Sequence, residues 1–157
     1  MYHVTARGVN RCDVFADDVD CVLFLRLLAE SVERFSWRCH ALCLMGTHYH
    51  LVLGTIRTCL SAGLHRLNGL YAQHFNRRHD RTGHLFGGRF HAWLVEDEDH
   101  LRATTRYVLN NPVRAGLVET AGDWPWSLQT SGCEHPTEQV FVHPQGYTGS
   151  RWPPTSS

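Results

Sequence analysis

The order in which strand-like alternation and helix-like spacing of apolar residues follow each other along this chain restricts its fold more than any other feature. Tyr2–Ala6 has the alternation and β-rich composition of a strand, and the strand ends near Arg7 to Asn10. Asp17–Phe35 has an acidic first turn and apolar residues at helical spacing. Two apolar runs then flank Gly46-Thr47, which predicts a hairpin of strands Arg38–Met45 and His48–Leu53.

The second half of the chain continues the same alternation of elements. Leu60–Phe75 has apolar residues on one helical face, and Arg89–Val95 alternates as a fourth strand. Asp97 is a suitable N-cap for a third helix that runs to about Asn110, and Pro112 ends it. The order β-α-β-β-α-β-α predicts an α+β fold of the ferredoxin-like kind, with an antiparallel sheet and helices packed on one face.

Length and composition predict a single domain. With 157 residues, 43% of them hydrophobic, the chain can bury one core. We place this domain at residues 1–127. Beyond Asp123 the sequence is rich in Pro, Gly, Ser and Trp without periodicity, so residues 128–157 are expected to form a peripheral or disordered C-terminal tail.

The distribution of charge favours a nucleic-acid partner although the net charge is zero. All fifteen basic residues are arginine. Six of them lie between Arg57 and His91, where Asp80 is the only acidic residue. This segment is expected to form a basic surface.

The six cysteines show no paired framework, and the sequence has neither a leader-like start nor a run of eighteen apolar residues. These features predict a reduced, cytoplasmic protein without membrane contact. Cys39 and Cys43 could contribute to a zinc site, but no second cysteine pair stands at usable spacing.

His48 and His50 are candidate metal ligands. Residues i and i+2 of a strand point to the same face, so both rings can bind one ion while Tyr49 packs on the opposite side. Twelve histidines in 157 residues make one such pair expected by chance, so a structural role remains open.

Tyr107 and Asn111 are the other candidate catalytic residues. They are four residues apart near the end of the third helix, so they can face the same way. Two imidazoles and an amide oxygen leave positions free on an octahedral cation for water and a scissile phosphate. A phenol needs activation as a nucleophile, which a divalent cation provides, and its attack on phosphate would form a phosphotyrosine. Asn110 could replace Asn111 as the ligand.

Four ordered stretches carry a resemblance to a known family. The chain resembles the single-tyrosine HUH transposases, and most closely the REP-associated tyrosine transposases of bacteria. The resemblance spans roughly residues 2–127, and the stretches that carry it are Tyr2–Arg11, Leu44–Leu53, Phe75–Phe90 and Arg106–Val118.

The resemblance implies a transposase-like endonuclease and strand transferase in the bacterial cytoplasm, associated with the nucleoid. It would act on single-stranded or hairpin DNA, with Tyr107 as nucleophile, a 5′-phosphotyrosine intermediate and a free 3′-hydroxyl. His48 and His50 would bind Mg²⁺ or Mn²⁺, with Asn111 at the position of a third ligand. Oligomeric state is left open, with a homodimer among the alternatives. The arginines expected to contact DNA are Arg7, Arg77, Arg78, Arg89 and Arg114.

Two other functions are compatible with the sequence. One is a catalytically inactive DNA-binding regulator on the same fold, although the presence of His48, His50 and Tyr107 disfavours it. The other is an unrelated zinc protein that uses the histidine pair together with Cys39 or Cys43.

Overall fold

The computed structural model describes residues 1–56 and 59–130, and within them five strands form one sheet. The strands are β1 (Tyr2–Arg7), β2 (Trp37–Met45), β3 (His48–Thr55), β4 (His91–Leu94) and β5 (Ser127–Gln129). The helices are α1 (Asp18–Phe35), α2 (Leu60–Arg78), α3 (Glu98–Leu109) and the single turn α4 (Asn111–Arg114). Short 3-10 turns occur at Val9–Arg11 and Ala121–Asp123.

The sheet has the strand order β4-β1-β3-β2-β5, and all neighbouring strands are antiparallel. Its first four strands therefore have the order expected for a ferredoxin-like β-α-β-β-α-β unit. The predicted α+β class and antiparallel sheet are confirmed. The consequence for function is that β3, which carries the histidine pair, lies at the centre of the sheet.

The helices occupy both faces of the sheet, which corrects the expectation that they share one. The ring of Tyr49 packs on Phe24 of α1, with centroids 4.8 Å apart, whereas the neighbouring His50 faces Tyr107 of α3. Adjacent residues of a strand point to opposite faces. The two long helices α1 and α2 therefore lie on one face, and α3 covers part of the other.

Local capping explains where the helices begin and end. The side chains of Asp17 and Asp97 accept hydrogen bonds from the backbone N–H groups of Asp20 and His100, which confirms the expected N-cap at Asp97. The helix α3 breaks at Asn110, and Pro112 stands in the first turn of α4, where a missing N–H costs nothing. Pro112 therefore ends one helix and begins the next.

The segment after the second 3-10 turn is part of the core. Trp124 and Trp126 are each 5% exposed, and the indole N–H of Trp124 donates to the carbonyl of Leu44 at 2.9 Å. The sequence pattern did not indicate β5, which pairs with β2. Of the predicted tail, residues 131–157 lie outside the described residues, and the domain boundary stays a prediction.

Within the described residues, no helix combines the length and apolar character needed to cross a membrane.

An ion-pair network joins α1 to the end of α2. Asp20 is fully buried, and its carboxylate accepts from Arg78 at 2.8 Å, from His79 at 2.9 Å and from the N–H of Ala16 at 2.9 Å. Arg78 also pairs with Asp17 at 2.6 Å. Because both amino groups of the Arg78 guanidinium bind carboxylates, this residue connects two helices, and its role as a DNA contact stays a prediction.

We expect Arg78→Met to lower the free energy of unfolding by about 1–3 kcal/mol, because the buried Asp20 carboxylate loses a charged donor. The matched control is Arg77→Met, which removes an exposed neighbouring arginine and should change stability by no more than about 0.5 kcal/mol. Urea unfolding at neutral pH measures both. Equal losses in the two variants would contradict the structural role of Arg78.

Candidate active site

The central strand β3 presents the two histidines to the face covered by α3. The rings of His48 and His50 have centroids 5.1 Å apart and are nearly perpendicular. His50 is buried, with 7% of its surface exposed, and His48 is partly exposed at the hairpin end. The structure therefore brings together the histidine pair that the alternation of the strand predicts.

Tyr107 lies over the same face. Its ring centroid is 6.0 Å from that of His50, in an edge-on arrangement. The tyrosine is 42% exposed although it is next to a buried histidine. Arg114 of α4 places its guanidinium carbon 4.9 Å from the centre of the Tyr107 ring. A reacting phosphate could reach this ring from solvent and would meet a positive charge there.

A third histidine, His3, belongs to the site and was missed by the sequence analysis. Its Nε2 lies 3.0 Å from Nδ1 of His50, and its ring is 5.9 Å from that of Tyr107. In the β1–β3 register His3 pairs with Val52, which is two residues from His50 along β3 and on the same face of the sheet. The spacing along the chain gives no sign of this contact, which depends on strand register.

The hydrogen bonds of the histidine pair suit metal binding. Nδ1 of His50 is bonded to His3, and Nδ1 of His48 is 3.0 Å from Oγ1 of Thr47. In both rings the second nitrogen, Nε2, is the one left for an ion. Metal-binding histidines commonly have such a partner on the other nitrogen, because it fixes the tautomer and the ring orientation. The donor chemistry of these two rings therefore suits a divalent cation.

Burial keeps both rings neutral. It lowers the pKa of His48 to about 4, with a further contribution from the nearby Arg7. It lowers the pKa of His50 to about 3, to which His48, His3 and Arg7 also contribute. Neutral imidazole is the form that binds metals, so the pair needs no deprotonation at pH 7.

Asn111 adjoins Tyr107 through the end of α3. Its amide nitrogen donates to the carbonyls of Tyr107 at 3.0 Å and Val108 at 3.4 Å, which leaves Oδ1 as the atom able to bind an ion. The amide of Asn110 donates to Arg106 in the same way. The choice between the two asparagines as third ligand stays a prediction.

The arginines expected to contact DNA have different surroundings. Arg7 is exposed at the end of β1, where it pairs in register with His48, and Arg114 lies beside Tyr107. Arg77 and Arg89 are also exposed, whereas Arg78 is held by carboxylates. Two of the five, Arg7 and Arg114, are thus next to the candidate catalytic residues.

The zinc alternative gains no support from the geometry. Among the described residues, no group of three His, Cys, Asp or Glu side chains is arranged to hold a metal. Burial raises the pKa of Cys39 and Cys43 to about 12, so both thiols stay protonated. Zinc binds the thiolate, which this environment disfavours.

Comparisons with known proteins identify relatives of this chain. A family model described as transposase IS200-like matches residues 1–111, which include the histidine pair, Tyr107 and Asn111. A Haemophilus influenzae protein, provisionally named as a REP-associated tyrosine transposase, is 24% identical over 132 residues that cover 77% of this chain and 72% of that protein.

Two solved structures share the fold. A REP-associated tyrosine transposase bound to a REP hairpin superposes with a TM-score of 0.66 and 16% identity, over 80% of this chain and 74% of that chain. A Deinococcus radiodurans R1 protein provisionally described as a transposase gives a TM-score of 0.51 and 20% identity, over 70% of this chain and 88% of that chain.

The lowered histidine pKa values predict acid sensitivity of the metal-free protein. In the unfolded chain both imidazoles take up protons near pH 6.5, whereas the folded site resists protonation until about pH 4 and about pH 3. Stability should therefore fall as the pH decreases below 6.5. Urea unfolding in EDTA at pH 7.5, 6 and 5 measures this change.

The matched control for acid sensitivity is the double variant His48→Gln, His50→Gln. Its stability should depend less on pH over the same range because the two buried titrating rings are gone. An identical pH dependence in the variant and the original protein would show that other groups cause the acid sensitivity.

Proposed function

This chain belongs to the family of IS200-like transposases, and we propose from that premise that it cuts and rejoins single-stranded or hairpin DNA through Tyr107. Membership of the family assigns it to DNA processing. The observation that carries the finer proposal is the position of Tyr107, whose exposed ring lies 6.0 Å from that of His50 on the face that presents the histidine pair.

The proposed reaction is a transesterification. The phenolic oxygen of Tyr107 attacks the scissile phosphorus as its proton passes to solvent, and a bond forms between that oxygen and phosphorus. The bond from phosphorus to the 3′ oxygen breaks, and this oxygen leaves and takes up a proton. The products are a 5′-phosphotyrosine and a free 3′-hydroxyl. Attack by a 3′-hydroxyl on the phosphotyrosine reverses the reaction and joins strands.

The metal ligands would be Nε2 of His48, Nε2 of His50 and Oδ1 of Asn111, with Mg²⁺ or Mn²⁺ as the ion. When bound, the cation supplies Lewis-acid polarisation of the phosphate. The remaining contributions come from the chain itself. His3 and Thr47 orient the two imidazoles, and Arg114 adds positive charge beside the tyrosine.

The DNA partner is supported by the distribution of arginine and by a structural relative that was solved bound to a REP hairpin. Arg7 and Arg114 flank the site, and Arg77 and Arg89 are further exposed arginines that would contact phosphates outside it. We assign the catalytic domain to residues 1–127 as predicted, and the short strand β5 (Ser127–Gln129) extends its sheet just past that boundary. A homodimer stays a prediction, as does association with the nucleoid.

We expect the protein to form a covalent adduct with a labelled single-stranded hairpin from the flanks of its own gene when Mn²⁺ is present. EDTA should prevent the adduct, and Tyr107→Phe should abolish it because the attacking oxygen is absent. Denaturing gel electrophoresis detects the product.

The control for the adduct experiment is Tyr2→Phe, which removes a phenolic oxygen from the opposite face of the sheet and should leave adduct formation intact. An adduct that persists in Tyr107→Phe would overturn the assignment of the nucleophile. Binding without any adduct in the original protein would favour the inactive DNA-binding regulator.

We further expect His3→Ala to weaken Mn²⁺ binding by about 10-fold to 100-fold, because the ring of His50 loses the partner that orients it. Adduct formation should recover at saturating Mn²⁺, since His3 acts through His50. Isothermal titration calorimetry and the Mn²⁺ dependence of the adduct measure the two effects.

The matched control for His3 is His91→Ala, which removes an exposed histidine from the same face of the neighbouring strand β4. His3→Gln should restore part of the affinity because its amide can still accept a hydrogen bond. Unchanged Mn²⁺ affinity in His3→Ala would contradict the positioning role.

A further inference from the structure

The candidate nucleophile and an exposed arginine lie at opposite ends of the histidine pair. The ring of Tyr107 lies near those of His50 and His3, with centroids 6.0 and 5.9 Å away. His48 is two residues from His50 toward the hairpin turn, and two residues of a strand span roughly 7 Å. In the β1–β3 register Arg7 pairs with His48. Along the sheet, the order is therefore Tyr107, the histidine pair and Arg7.

Within the described residues, the side chain of Arg7 has no carboxylate partner. Directly paired residues of neighbouring strands point to the same face, so Arg7 shares the face of His48. Arg7 is exposed, and the ion pairs of the described part of the chain are made by Arg78, His79 and Arg102. A guanidinium presents its N–H donors in a rigid fork that suits phosphate oxygens. Arg7 can therefore bind an oxyanion without first breaking one of these ion pairs.

Backbone contacts on both sides fix the position of Arg7. The N–H of Gly87 donates to the carbonyl of Arg7 at 2.9 Å, and the N–H of the next residue, Gly8, donates to the carbonyl of Thr47 at 2.9 Å. The hydroxyl of Thr47 is in turn 3.0 Å from Nδ1 of His48. The base of the Arg7 side chain is thereby fixed relative to a candidate metal ligand.

The charge of Arg7 reaches the histidine pair. After burial, this charge contributes to the lowered pKa of both His48 and His50. Because a cation that disfavours protonation of these rings also repels a divalent ion bound to them, Arg7 weakens metal binding when DNA is absent. An anionic phosphate between the two charges would offset this repulsion. The placement of Arg7 therefore suits the reaction with phosphate and not the retention of a metal.

We propose that Arg7 is a catalytic residue that stabilises the 3′ oxygen as it leaves the scissile phosphate. The inference rests on the proposed function, and it assigns to one arginine a chemical step beyond general contact with DNA. In phosphoryl transfer the attacking and leaving oxygens lie roughly in line on opposite sides of phosphorus. With Tyr107 attacking from one end of the histidine pair, the leaving oxygen faces the end at which Arg7 stands.

The contribution of Arg7 is electrostatic. While the bond from phosphorus to the 3′ oxygen breaks, negative charge develops on that oxygen, and N–H groups of the guanidinium donate hydrogen bonds to it. Arginine stays protonated in proteins, so the proton that completes the 3′-hydroxyl comes from solvent. When strands rejoin, the same N–H groups hold the attacking 3′ oxygen.

The test replaces the leaving oxygen with sulfur. Two labelled hairpins are compared, which carry oxygen or sulfur as the bridging 3′ atom at the cleavage position mapped for the original protein. A thiolate leaves without the help of a hydrogen-bond donor, because a thiol is far more acidic than an alcohol. With saturating DNA and Mn²⁺, Arg7→Gln should form the adduct about 100-fold to 1000-fold more slowly on the oxygen hairpin and less than about tenfold more slowly on the sulfur hairpin.

Two further variants and a binding measurement accompany this test. Arg7→Lys keeps the positive charge and should recover part of the rate on the oxygen hairpin. The matched control is Arg38→Gln, which removes an exposed arginine that pairs with Gly54, far from the hairpin turn, and should leave both rates unchanged. Isothermal titration calorimetry should show that Arg7→Gln binds Mn²⁺ about threefold to tenfold more tightly, because a repelling charge is removed.

The outcomes separate this inference from the proposed function. Equal slowing of Arg7→Gln on the two hairpins would overturn the role of Arg7 at the leaving oxygen. Weaker Mn²⁺ binding by Arg7→Gln would also overturn it, since Arg7 would then maintain the site itself. Adduct formation at the same rate by Arg7→Gln and the original protein would reject this inference alone. No adduct from the original protein on the oxygen hairpin would reject the proposed function, and this inference with it.

Discussion

The opposite orientation of neighbouring side chains on β3 is the constraint on which the rest of the structure depends. Because β3 is flanked by β1 and β2 at the centre of the sheet, its register is fixed on both sides. Tyr49 enters the core under α1, and this contact holds His48 and His50 on the other face. A shift of one residue would exchange the two sets, burying imidazoles among the aromatic rings and exposing Tyr49.

The second requirement is a helix that ends over that face. α3 packs Val108 into the core, and the break at Asn110 follows directly. Tyr107 is thereby left at the edge of the packed surface, half-exposed and beside His50. Had α3 continued past Asn110 without interruption, Arg114 would lie two helical turns beyond Tyr107 along the helix axis. The turn α4 instead brings its guanidinium to the ring of Tyr107.

Local pattern was sufficient for most of the fold and for the histidine pair. Helical spacing, acidic first turns and the Gly46-Thr47 hairpin are all properties of short segments, and the structure has each of them. Contacts between distant segments were not accessible in this way. The pairing of His3 with His50 depends on register across 47 residues, and the pairing of Arg78 with Asp20 depends on how two helices dock. β5 has only three residues, too few for an alternation to be detected.

The side of the sheet that α3 occupies shows why the wrong expectation that all helices share one face matters for function. With all helices on one face, Tyr107 would lie near Tyr49, and the histidine pair would face solvent alone. Placing α3 opposite α1 and α2 encloses the pair enough to lower the pKa of both rings by burial, while the exposed Tyr107 stays accessible. It also leaves the outer surface of α2 free of tertiary packing at Gly69, so that one sheet supports a partly enclosed reaction centre on one face and a helix layer with an open outer surface on the other.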